Sequence, residues 1–333
     1  MEKNCSSYDF SLTKAEMVIT VTYLTVVATI GSCANAFVMV TIIYVRSLHN
    51  TFYYLMWCLS LADFITTGVC MPFFIMTMIV GAWPSNMDYT ACQFLAMLRL
   101  VCTGISVGIL SIIGINRYVK VSKSPQDYQK FSKPQSMALI VLVHAFIVFT
   151  PLLGPLYGNG EVGYNEALHL CTALYCNHKA WRYQVVLTVV SISYTTFVFF
   201  STSYLILKTL RQSNKRVQNH SIRNKTQKPS KGKSIFQRLF SSKGELKSTR
   251  MLFLLLLMFL VCWLPFAVTI ALDSDFTVPV RALRITDLIF WANSAINPFL
   301  YATMNRTFMQ NAKRFLKCQS RNNNNASHIE ATM

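Results

Sequence analysis

Seven separate apolar runs, each long enough to cross a bilayer, constrain this chain more than any other feature of it. A helix that spans the hydrocarbon core needs roughly 20 mostly apolar residues. Segments of that length lie at about Met17–Tyr44, Phe52–Val80, Ala91–Val119, Gln135–Leu156, Tyr183–Leu207, Met251–Leu272 and Val280–Thr303. A soluble domain would have to bury all of these runs around one core, and charged residues, at 13%, are too scarce to cover such a body. Inside lipid every backbone polar group must find its partner within the spanning structure, so runs of this kind form helices. The expected fold is an all-α membrane protein: a seven-transmembrane helix bundle over 17–304, followed by a short amphipathic helix over 305–318.

The basic residues orient the bundle. Lys and Arg crowd the loops after the first, third and fifth segments and the C-terminal tail, with a dense cluster between Lys208 and Arg250. By the positive-inside rule these loops are cytoplasmic, which puts residues 1–16 outside the cell, the long basic loop 208–250 inside and the disordered tail 319–333 inside. The net charge of +18 is therefore a topology signal rather than a nucleic-acid footprint, because the bases border spans instead of forming a folded basic module. Within the long loop, Ser234 to Phe240 is basic and amphipathic and fits an anionic lipid surface. Asn4-Cys5-Ser6 is a glycosylation sequon on the outer side. The six histidines are scattered over both faces, which argues against a seven-span hydrolase, and no internal repeat supports a transporter. Those two classes are the alternatives to a receptor.

Polar groups within the spans mark function, because burying them is expensive. Asp63 is the only acid of the second span; Ser106 lies mid-third span, and Asn293, Ser294 and Asn297 lie in the seventh. One carboxylate among neutral oxygens suits a small hard cation, and an internal water network is the competing reading. Asn116-Arg117-Tyr118 ends the third span, 25 residues after Cys92, and Glu245 stands 18 residues before Trp263. Arg117 and Glu245 are placed to form a charge-assisted pair across two helix ends. In Phe259-Leu-Val-Cys262-Trp263-Leu264-Pro265 and in Asn297-Pro298-Phe299-Leu300-Tyr301, proline removes a helical hydrogen bond and creates a pivot.

Together with Asn35, Pro72, Trp83 and Tyr204, these motifs resemble the class A (rhodopsin-like) G-protein-coupled receptors over all seven spans. The resemblance implies a plasma-membrane receptor whose partners are a heterotrimeric G protein, arrestin, receptor kinases and membrane lipids. It implies no required cofactor beyond an allosteric sodium ion at Asp63, Ser106, Asn293, Ser294 and Asn297. It implies a switch built from Asn116, Arg117, Tyr118, Tyr204, Glu245, Phe259, Trp263, Pro265, Asn297, Pro298 and Tyr301. A disulfide from Cys92 to Cys171 follows from the same likeness, with Cys176 as the alternative partner, and Cys318 is placed for palmitoylation. The Asn-Arg-Tyr form is shared with melatonin receptors and some invertebrate receptors. Asn116 stands where the family usually has an acid, His144 where it has Trp, and Thr196 where it has a proline in the fifth span.

Ligand chemistry is less legible. Arg99, two turns below Cys92, stands where amine receptors carry an aspartate, and Trp291 where opsins hold the retinal lysine, so neither an amine nor retinal is expected. Either Arg99 binds an acid or carbonyl group of a small molecule, lipid or short peptide, or Arg99 and Asp287 form a structural ion pair. Thr103, Phe266, Arg284 and Trp291 are further pocket candidates by spacing.

Overall fold

A computed structural model describes residues 13–133, 135–138, 140–142, 161–166, 168–174, 178–223, 235–275 and 277–317, those between 213 and 250 by backbone only. The first-span helix, Lys14–Tyr44, opens with a capping box: Thr13 Oγ1 accepts from the Glu16 backbone N–H at 3.2 Å, and Glu16 accepts from the Thr13 N–H at 2.9 Å. The second-span helix runs Thr51–Ile65, makes one wide turn at Thr66–Cys70 and resumes at Met71–Val80. Pro72 follows that turn at once, and the Met71 N–H reaches back to the Thr66 carbonyl, so the segment absorbs its proline without orphaning the backbone.

The third-span helix is Tyr89–Ser122 and a short helix, Pro125–Phe131, follows it. Only the first part of the fourth span, 135–138 and 140–142, is among the described residues, and His144 lies outside them. The fifth-span helix extends unbroken from His178 to Arg223, the sixth from Ile235 to Leu272, and the seventh from Val280 to Met304. Thr196 replaces a helix breaker with a residue that keeps its N–H, which accounts for the continuity. The long basic loop expected over 208–250 is thus helical at both ends; its Lys-, Arg- and Gln-rich flanks are good helix formers that propagate from an already nucleated span. A last helix occupies 306–317.

Five of these helices are long and apolar enough among the described residues to cross a membrane. The seventh is less apolar because Asp287, Asn293, Ser294 and Asn297 interrupt it. Outward side chains such as Ile19, Val26, Phe197, Phe200, Phe253 and Val261 are exposed on the periphery, a surface that lipid would satisfy and water would not.

At one end of the bundle, β1 (Glu161–Asn165) pairs antiparallel with β2 (Leu170–Leu174), with Tyr164 opposite Cys171. The hairpin is fastened twice. Cys171 is joined to Cys92 at the start of the third span, and the Thr77 hydroxyl of the second span donates to the His169 carbonyl. At the opposite end, the 306–317 helix buries Phe308 and Ala312 against the bundle. Asn305 Oδ1 caps that helix, accepting from the Phe308 N–H at 3.0 Å and from Tyr53 Oη at 3.2 Å.

Candidate functional site

Three groups of functional side chains line up between the two ends. Nearest the hairpin, Arg99 and Asp287 are both buried, with Arg99 Nη1 3.8 Å from Asp287 Oδ1. That separation is too long for a hydrogen bond, and neither facing atom has another partner. Trp291 Nε1 donates to Asp287 Oδ2 at 2.8 Å, holding the carboxylate in place. The Arg99 guanidinium lies 5.1 Å from the Trp291 ring centre and 5.6 Å from that of Phe290, within cation–π range.

Arg99 lines two adjoining cavities. One sits under the hairpin among Cys70, Phe73, Phe74, Leu95, Leu170 and Trp291. The other lies between the third, fifth and sixth spans among Thr103, Gln184, Thr188, Ser191, Phe266 and Phe290. Of the six pocket residues expected from sequence, Arg99, Thr103, Phe266 and Trp291 line these cavities and Asp287 touches Arg99. Arg284 lines neither; it is buried beneath the hairpin, within electrostatic range of Tyr164 and His169. Burial pushes the Tyr164 phenol up to about 12 and His169 below the usual histidine value, Arg284 adding to the second effect. Gln184, Thr188 and Ser191 were not singled out by sequence, although their spacing on one face of the fifth-span helix carries the signal.

Below the cavities is an aromatic ladder. Phe290 packs against Phe266 at 5.5 Å and against Trp263 at 4.9 Å, and Trp263 packs against Phe259 at 4.8 Å. Pro265 falls inside this part of the sixth-span helix. Phe290 is the member that sequence reasoning missed, because nothing in its neighbourhood distinguishes it from an ordinary core aromatic.

The third group surrounds Asp63, which is fully buried. Asn297 Nδ2 donates to Asp63 Oδ2 at 2.8 Å and Ser106 Oγ approaches Oδ1 at 3.5 Å. Asn35 joins the same cluster by donating to the Gly31 and Ser294 carbonyls, both at 2.9 Å. Asn293 and Ser294 are buried on the seventh span beside them. Ser60, one turn before Asp63, keeps a buried hydroxyl without a hydrogen bond, as does Tyr301. A single carboxylate with several uncommitted neutral oxygens fits the donor chemistry of a small hard cation. Gly31 makes this packing close: a Cβ there would lie 2.6 Å from Thr67 Cγ2 and 3.3 Å from Ala295 Cβ.

At the far end, Arg117 rests with its guanidinium 3.8 Å above the Phe52 ring. Asn116 is fully buried and its amide has no hydrogen-bond partner. Tyr118 is half-buried against the core and Pro298 lies within the seventh-span helix. Tyr204 is not brought to this group: it is 64% exposed on the bundle's periphery, because the helical phase of the fifth span turns Phe199, Thr202 and Ile206 inward instead. The Glu245 side chain, Asn4, Cys5, Cys176 and Cys318 lie outside the described residues. The bridge at Cys171 answers the choice of partner for Cys92.

Long apolar helices, a hairpin tied over one mouth by a disulfide, a cavity beneath it and proline-bearing helices below define a membrane-embedded helix bundle with a pocket at one end. The sequence pattern of the 7 transmembrane receptor (rhodopsin family) matches residues 34–301, and the chain belongs to that family of G-protein-coupled, multi-pass plasma-membrane receptors. The 5-hydroxytryptamine receptor 4 of Cavia porcellus is 25% identical over 323 residues, covering 92% of this chain and 81% of that receptor. The alpha-1A adrenergic receptor of Oryctolagus cuniculus is 26% identical over 316 residues, covering 87% of this chain and 66% of that receptor. The crystal structure of squid rhodopsin shares the fold, with a TM-score of 0.78 at 15% identity over 92% of this chain and 87% of that one.

Proposed function

We propose that this receptor binds an extracellular ligand bearing an acid or carbonyl group beneath the hairpin and activates a heterotrimeric G protein at its Arg117 end. One observation carries the ligand assignment: a buried guanidinium, Arg99, lines both cavities and keeps a nitrogen without a hydrogen bond. Relatives are named for 5-hydroxytryptamine and adrenergic ligands, yet an ammonium group in this chain would face Arg99 and be repelled. The concentration of Lys and Arg around the Arg117 end supports its assignment to the cytoplasm. Arrestin and receptor kinases would follow the G protein there, and anionic lipids would meet the basic residues of the 306–317 helix.

A sodium ion would be held by Asp63 with Ser106 and the amides and hydroxyl of Asn293, Ser294 and Asn297. Bound, it supplies a counter-charge that a lone buried carboxylate otherwise lacks. Nucleotide exchange on purified G proteins, driven by hits from a screen of acids and carbonyl compounds, tests the assignment. Arg117→Ala should abolish exchange while ligand still binds, and Arg99→Ala should weaken the ligand. Solute transport with no exchange signal from any G-protein class would overturn the coupling, and unchanged potency in Arg99→Ala would overturn the anchor.

A further inference from the structure

We infer that the ligand is a neutral acyl amide and that Asp287 is the residue that selects it over the corresponding acid. The inference rests on Arg99 being the ligand anchor, and it adds the ligand's charge and its shape.

Charge comes first. Arg99 and Asp287 face each other at 3.8 Å inside the bundle, so the guanidinium already has a counter-charge before any ligand enters. Trp291 Nε1 fixes the carboxylate through Oδ2, which keeps it from swinging away to make room for a second anion. A ligand carboxylate would leave one uncompensated negative charge in an apolar enclosure, whereas a carbonyl oxygen accepts from the unpaired Arg99 Nη1 and adds none.

Shape follows from the two cavities meeting at Arg99. In the smaller one the other polar side chains are already committed: the Thr77 hydroxyl to the Phe74 and His169 carbonyls, and Trp83 Nε1 to the Met87 carbonyl. What remains is wall from Phe73, Phe74 and Leu95, which suits an alkyl chain. The larger cavity is different, since Gln184 presents a buried Oε1 with no donor, close to Thr188 and Ser191. An N–H or O–H on the ligand satisfies it. The order along the ligand is therefore an acyl tail, a carbonyl on Arg99, then a head that donates hydrogen bonds.

The test uses the full-length receptor in nanodiscs with two matched probe series, N-acyl ethanolamides and N-acyl glycines, each running from acetyl to tetradecanoyl. Affinity should rise with chain length until the tail fills its cavity, with each ethanolamide binding roughly tenfold tighter than the glycine of equal length. Asp287→Asn keeps an acceptor for Trp291 but leaves Arg99 in charge excess, and it should reverse that order. Gln184→Leu should weaken the ethanolamides at every length, and Phe73→Ala should move the preferred tail to longer chains; both hold even if Asp287→Asn does not fold. Glycines binding better to the wild type, an unchanged ratio in Asp287→Asn, or binding by neither series overturns the inference. If instead Arg99→Ala leaves both series unaffected, the anchor itself is wrong, a result separable from the others.

Discussion

Neutralising Arg99 and Asp287 separately and together measures whether their contact is an interaction or a coincidence of packing. At 3.8 Å and an effective dielectric of about 20, the Coulomb attraction is about 4 kcal/mol. Both side chains are more than nine-tenths buried, so solvent screening removes little of it. Arg99→Gln strands the Asp287 carboxylate and Asp287→Asn strands the guanidinium, each costing about 3–5 kcal/mol because a buried charge loses its partner. Arg99→Gln also loses the stacking of the guanidinium on Phe290 and Trp291. That loss occurs equally in the double variant and cancels from the cycle. The double variant should therefore be destabilised by about 3–4 kcal/mol less than the two single costs added together. Reversible unfolding in mixed micelles, followed by tryptophan fluorescence, supplies the four free energies. Additivity within about 0.5 kcal/mol would refute the reasoning, since contacting groups that do not couple are screened by water.

Gly31→Ala should destabilise the bundle by about 1–3 kcal/mol, because Thr67 cannot yield while its hydroxyl is held by the Asp63 carbonyl at 2.8 Å; Thr67→Ser, which removes the clashing Cγ2, should restore the melting temperature. The hairpin should loosen on acidification. Burial and then Arg284 hold His169 below its usual value, outweighing a hydrogen bond with the Gly81 backbone that raises it, and Tyr164 is hydrogen-bonded to the ring at 3.1 Å; the unfolded state therefore takes up the proton first. Stability present above about pH 6.5 falls as pH drops through that value, and His169→Gln should flatten the melting temperature between about pH 7 and 5. Asn305→Ala should cost about 1 kcal/mol and raise hydrogen exchange across 306–317, since it removes the cap and the tie to Tyr53 together; unchanged exchange there would argue that packing of Phe308 alone holds the helix.

What was legible in the residues was whatever one segment decides by itself. Span length and apolarity announce each helix, proline announces each pivot, and a lone acid such as Asp63 announces a polar pocket, because all three follow from what lipid forbids. Properties set by two segments at once were not legible. Tyr204 was assigned to the switch from its position in the family pattern, but which way it points depends on the phase of a helix whose inward face is chosen by Phe199, Thr202 and Ile206. The hairpin is not legible because its strands are short and its pairing spans two segments, with His169 just before β2 in a left-handed backbone (φ 53°). Thr66–Cys70 reads as continuous helix, and only the demand of Pro72 reveals its extra width.

The three polar and aromatic groups are stacked so that one element joins them all. Phe290 touches Arg99 above and Trp263 below, and it lies on the same seventh-span helix as Asp287, Trp291 and Asn297. Under the proposed function, a ligand that draws the Arg99 guanidinium off the Phe290 ring would change the packing of Trp263 and the position of the helix that hydrogen-bonds Asp63. Neither response needs a long chain of small displacements. Proline removes a backbone hydrogen bond at Pro265 in the sixth-span helix and at Pro298 in the seventh, so each helix has a point where bending costs less. Close packing at Gly31 holds the first, second and seventh spans together. Under the proposed function, Arg99 paired with Asp287 and stacked on two rings would hold the ladder still, and a carbonyl that recruits it would release the sixth helix.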